Sequence, residues 1–392
     1  KSSGGNITVA GGLDDGAALN PEITGRTRSD GYPDNYASGV NGLSENAGID
    51  FGTGHQLLSD GGQIFLAGQG SAVNTDSDMG VDIRGGLIYS AVGKIAIYGK
   101  APSDCQYNWH RGIFTGYGGN SHIISDSGAT DAIYLYGNTA SCNNGWSVYA
   151  SAIQGSSSWT NVAAPSGGGI KIYGIQGNAA YYQGDYNAGS AEESDILQLN
   201  YYNLIANSGP ISVNAVTATT SDRWALRFAT RGANRSYVGA LATAISTGFP
   251  AYPTIAAVAS TSDVTLKADS ICPYLTTFKA SGNLALIPDA TFNTALSVLL
   301  SSDYGAELPT KLASLTIGAP GTSGVNQTKA NIDLRPVSAV GPIKLYGADL
   351  TFEGDISSDV ASGTGVLLKA TKSITTLRSV TTLGGDVVLW SR

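Results

Sequence analysis

The chain has 392 residues, with 52 Gly, only 22 Lys or Arg against 30 Asp or Glu, and a net charge of −8. With 42% apolar residues it can bury a large core, which argues against general disorder. No basic run offers a footprint for nucleic acid or an anionic membrane surface, and no apolar window approaches the ~18 residues of a bilayer-spanning helix, so neither nucleic acid binding nor membrane insertion is expected.

In chain order, short apolar alternations recur between Gly, Asn and Asp. Gly62–Leu66 comes first, followed by Gly93-Lys94-Ile95-Ala96-Ile97-Tyr98-Gly99, Ala132-Ile133-Tyr134-Leu135-Tyr136-Gly137 and Gly169-Ile170-Lys171-Ile172-Tyr173-Gly174. Then come Asp263–Leu266, Asn283–Leu286, Asn331–Leu334, Pro342–Gly347, Gly365–Leu368 and Asp386–Leu389. Each has the period of a short strand with one buried face. The step between units is 20 residues from Val264 to Leu284, 23 from Ile343 to Val366 and 21 from Val366 to Val387. Earlier steps are longer, 31 from Ile64 to Ile95, then 38 to Ile133 and 37 to Ile170, and read as two coils or as one coil with an outward loop.

A step of about 20 residues with Gly and Asn punctuation predicts an all-β parallel β-helix of about 13 to 16 coils and roughly 60–80 Å. A sandwich or propeller is the alternative, but neither Asn41-Gly42 nor Asn144-Gly145 joins two clean alternating strands as a hairpin should. The expected organisation is a β-helix over 1–261 with insertions near 14–48, 100–165 and 176–195, then more regular coils over 262–392. One continuous solenoid, part of a longer chain, would accommodate both. Tyr98, Tyr136, Tyr173 and Tyr346 hold the same place in the repeat, which predicts a structural aromatic ladder.

Few residues suggest catalysis. His55, His110 and His122 lie in separate segments, and the dense acids Asp14-Asp15, Glu192-Glu193-Ser194-Asp195 and Asp303 with Glu307 read as solvated loops. No enzyme activity is expected. Asp76, Asp78 and Asp82 place three carboxylates around a Gly, a layout that could ligate Ca²⁺, with an Asx-rich turn as the plainer reading. Cys105 and Cys142 share a Gly/Asn/Ser-rich region and could form a disulfide if the chain folds outside the cell; two free thiols are the alternative. Tyr107, Trp109, Trp146, Trp159, Tyr181 and Tyr182 are candidate ligand-binding residues, because aromatics on loops of a rigid scaffold suit carbohydrate or protein surfaces. Packing of loops against the rod would use them equally well.

Gly4-Gly5-Asn6-Ile7-Thr8-Val9, Ser262–Ala268, Ser281–Leu286 and Gly384–Ser391 together resemble the filamentous haemagglutinin-like exoproteins of bacteria, most clearly over 262–392. The resemblance implies a right-handed parallel β-helix, two-partner-secreted or autotransported, at the bacterial cell surface or extracellular, with adhesive or structural work. The nearest match to that family's Asn-Pro-Asn secretion-domain motifs is Asn20-Pro21-Glu22, so a secretion domain is not expected here. The first functional expectation is an adhesin or structural rod whose partner is a carbohydrate or a host or neighbour-cell surface. A subunit of an end-to-end filament is the alternative, and a polysaccharide-degrading β-helix enzyme is a third.

Overall fold

A computed structural model describes residues 1–10, 37–38, 46–70, 78–102, 110–140, 142, 150–176, 195–217, 224–230, 234–243, 254–289, 298–300, 305–320, 331–376 and 378–391. Among these there is no helix, and the strands wind repeatedly through the same three parallel sheets. One turn of the winding consists of Asn46–Phe51 on a first face, Gln56–Ser59 on a second and Ile64–Gln69 on a third. The next turns are Asp78–Ile83, Leu87–Ser90 and Ile95–Lys100, then His110–Thr115, Ser121–Ser125 and Ile133–Thr139. Ala150–Gly155, Thr160–Ala164 and Ile170–Gln176 make the next, and Leu197–Asn200, Tyr202–Ala206 and Ile211–Thr217 the one after. Each strand pairs in parallel with its counterpart one turn on, which is the architecture of a parallel β-helix.

The long gaps of the N-terminal part are therefore single coils. Faces one and two meet through short connections, as do faces two and three, whereas the return from face three to face one holds residues 70–77, 101–109, 140–149, 177–196 and 218–225. The predicted insertion at 100–165 is a correction in this respect. It contains five strands, His110–Thr115 to Thr160–Ala164, that belong to the regular winding. Those strands were hard to read because polar residues such as His110, Arg111 and His122 occupy buried strand positions and mask the alternation.

From Ile343 onward the return corner closes. Ile343–Phe352 and Thr364–Thr376 are long strands that serve both face three and the continuation of face one, pairing over both halves. Face two continues there as the three-stranded sheet Val337–Ala339, Ile356–Ser358 and Val380–Thr382. Strand pairing crosses the expected 261/262 division without a break, Ile211 lying beside Val264. The single antiparallel pairing among the described residues is Ser236–Thr243 with Thr254–Ala259, a side hairpin on face two.

Face three runs through twelve levels from Ile7–Ala10 to Asp386–Ser391, about 50 Å at the usual spacing between strands. That is fewer coils than expected, because one coil takes as many as 53 residues between Ile211 and Val264. Inside the rod, Ile64, Ile95, Ile133, Ile170, Ile211, Val264, Leu284, Leu315, Ile343 and Val366 stack in register. None is more than 2% exposed. Branched aliphatics suit this column because each side chain packs on the identical position one level away.

Two local rules shape the coil. A Cβ on Gly99 would lie 2.0 Å from the Gly112 carbonyl oxygen, and one on Gly137 2.0 Å from that of Ala152. Glycine follows tyrosine in the repeat because the backbones of faces three and one touch there. At the corner between faces two and three, Ser90 Oγ accepts from the Gly93 N–H at 2.9 Å and donates to the Gly62 carbonyl at 2.9 Å. Ser59 and Ser125 lie in register with Ser90 and repeat parts of this arrangement.

Candidate functional site

The tyrosine ladder forms on the outside of face three. Phe65 and Tyr98 have ring centroids 5.2 Å apart, Tyr98 and Tyr136 5.8 Å, and Tyr136 stacks on Tyr173 at 5.7 Å with the planes 13° apart. Tyr136 is fully buried, so the ladder braces the wall. Tyr346 stands apart from it: its register neighbours are Lys369 and then Trp390, and the Lys369 ammonium sits 4.9 Å above the Trp390 ring.

The outer rows of faces one and two are more polar than the pattern of alternation suggested. On face one, Asp82, Phe114, Gln154, Gln198, Arg227 and Cys272 occupy one register row and are all buried. Arg227 Nε lies 2.6 Å from the Asp195 carboxylate, with both side chains 1% exposed. The Arg111 guanidinium sits 4.2 Å over the Phe114 ring and bonds to Gln154. On face two, Asn203 donates to Asn161 at 2.9 Å, and Asn161 meets His122 Nδ1 at 3.3 Å. Burial lowers the pKa of His122 to about 4. His110 and Asp78 are register neighbours with Nδ1 and Oδ2 3.7 Å apart, whereas His55 is exposed beside the Phe51 ring.

Of the calcium candidates, Asp76 lies outside the described residues. Asp78 and Asp82 fall on one strand about 13 Å apart by strand rise, the first facing His110 and the second 2.5 Å from Arg84 Nε. The strand thus separates these two carboxylates, and the described residues contain no group of three His, Cys, Asp or Glu placed to hold a metal ion. Cys142 is disulfide-bonded and packs with Ala101 and Ala150, whereas Cys272 is a free, buried thiol. Cys105 lies outside the described residues.

Among the aromatic candidates, Trp159 is half-buried at the corner between faces one and two, edge-on to the Tyr201 ring at 5.3 Å. Tyr107, Trp109, Trp146, Tyr181 and Tyr182 lie outside the described residues. Their positions in the chain share one property: all fall in the connections from face three back to face one. The strand ends that anchor those connections are in register, Lys100 beside Asn138 on one side and His110 beside Ala150 on the other.

Sequence patterning gave no sign of a cleft of about 720 Å³ lower on face two. There Thr276–Phe278 pairs with Ser236–Val238 on one side and meets the following coil only through the isolated bridge from Thr277 to Glu307. Pro309 and Pro336 line the gap, and neither has an N–H to continue a ladder. Lys279, Glu307, Lys311 and Arg335 line it with Phe278 and Leu308. The signal that could have revealed it was the pair of prolines interrupting otherwise regular coils.

No helix among the described residues is long and apolar enough to cross a membrane. Comparison with protein-family models, curated proteins and solved structures finds no match to this chain.

Proposed function

We infer that this chain is a haemagglutinin-like bacterial exoprotein rod, secreted to the cell surface or beyond, that displays binding segments toward a carbohydrate or a neighbouring cell. The observation that carries this reading is the return corner. Five connections of a rigid solenoid start and end at anchors stacked level upon level, and they contain five of the six aromatic candidates, Trp159 lying elsewhere. A repeat scaffold that gathers successive connections at one edge has the form of a display surface, since neighbouring segments then act on one ligand together. The disulfide at Cys142 agrees with folding in an oxidising compartment.

The test is attachment of the purified chain to a glycan panel and to cells, comparing Trp109→Ala, Trp146→Ala and the Tyr181→Ala/Tyr182→Ala pair with the parent. The expected result is at least tenfold weaker attachment with an unchanged β-sheet spectrum. Attachment that survives all three changes would assign the aromatics to loop packing.

End-to-end assembly is a second reading with its own observation. The last described level, Asp386–Ser391, leaves Val387 41%, Leu389 53% and Trp390 36% exposed, although Val387 and Leu389 continue the buried columns above them. Such an edge accepts a further level of strand, whether from continuing chain or from another copy. Electron microscopy that resolves separate rods at micromolar concentration would count against filament formation by this chain.

A further inference from the structure

We propose that the cleft on face two is a binding site for a small ligand carrying a carboxylate on an amphipathic ring, of which a uronic acid is the simplest example. Four cations, Arg235, Lys279, Lys311 and Arg335, gather at or beside the cleft in a chain whose net charge is −8. Carboxylates meet Arg235 and Lys311. Glu307 lies 3.2 Å from Arg235 and accepts from the Thr277 hydroxyl at 2.8 Å, and Asp359 is paired with Lys311. Glu307 therefore has its charge met from its own side of the cleft.

Arg335 is half-buried and has no carboxylate within ion-pair distance among the described residues. One Nη1 donor is fixed on the Ala306 carbonyl at 2.6 Å, which holds the guanidinium in place. Four of its five N–H donors remain to form a planar fork suited to a carboxylate. Lys279, held 4.9 Å over the Tyr237 ring, adds a second positive charge on the cleft wall. Phe278, Leu308, Pro309 and Pro336 give the lining an apolar part, beside Thr277 and Thr310, that could receive the hydrophobic face of a ring. A volume of about 720 Å³ lies within the usual range for small-molecule sites.

This site does not depend on the aromatic connections, so either reading can fail without the other. The experiment is calorimetric titration of the full chain with glucuronate and a uronate disaccharide, with a neutral disaccharide and inorganic phosphate as comparators. The expected result is saturable binding of the uronates that weakens with added salt. Binding should fall at least tenfold in Arg335→Gln and in Arg335→Lys, which keeps the charge and loses the fork. Lys279→Gln, which leaves the Ala306 contact intact, should weaken binding at least threefold, so the test stands even if a change at Arg335 disturbs folding. Absence of heat from uronates at millimolar concentration would overturn the proposal. So would phosphate binding as tightly as the uronates, or uronate binding unchanged in a folded Arg335 variant and in Lys279→Gln.

Discussion

At Gly137 the coil has no room for a methyl group, because a Cβ would meet the Ala152 carbonyl oxygen at 2.0 Å, a backbone atom that cannot swing aside. Gly137→Ala should therefore destabilise the rod by about 1–3 kcal/mol or more. Gly128→Ala, whose added Cβ would find its nearest neighbour at 3.8 Å, should be close to neutral; parallel urea titrations check both. His122 makes a prediction in pH. Its folded pKa of about 4 lies below the ordinary value of about 6.5, so between these values the unfolded chain binds more protons. The contribution is complete above about pH 6.5 and is lost as pH falls toward 4. His122→Asn would extend the Asn161–Asn203 row with a side chain that does not titrate, and should flatten the loss of melting temperature across that window.

The strand and its corner are the next scale. Ser90 is fully buried and joins two levels through its hydroxyl. Ser90→Ala leaves the part-buried Gly93 N–H and the buried Gly62 carbonyl without that partner and should cost about 1–3 kcal/mol. Leu135→Ala removes a fully buried member of the second aliphatic column, between Ile97 and Ile172, and should cost about 2–5 kcal/mol. Thermal melts of the two variants check both figures. The aliphatic strands of face three were legible in the sequence because their inward residues alternate with Gly, Ala, Lys and Thr. The strands of faces one and two were not: Asp78–Ile83 and His110–Thr115 are buried throughout, so polar and apolar side chains alike are inside and no alternation survives. The candidate site followed the same division. Residues of the loop aromatic group were visible by type, but Arg335 and Lys279 come from coils some 56 residues apart and met only on folding.

For the whole molecule, the rod's stability is a sum over neighbouring levels, with each coil resting on the next. The twelve levels of face three span about 50 Å at the strand spacing. By itself the sequence determined the class of architecture, because an alternating strand repeated at short steps can bury its apolar face only by stacking on copies of itself. It also determined the aliphatic columns and the tyrosine ladder, since equal positions in successive repeats become neighbours once the strands pair in register. Only the tertiary structure decided how many faces a coil has, that five N-terminal connections share one corner, and that Tyr346 leaves the ladder. Those depend on contacts between segments tens of residues apart, where a glycine seam or a proline-broken edge sets the path, and no local pattern carries that information.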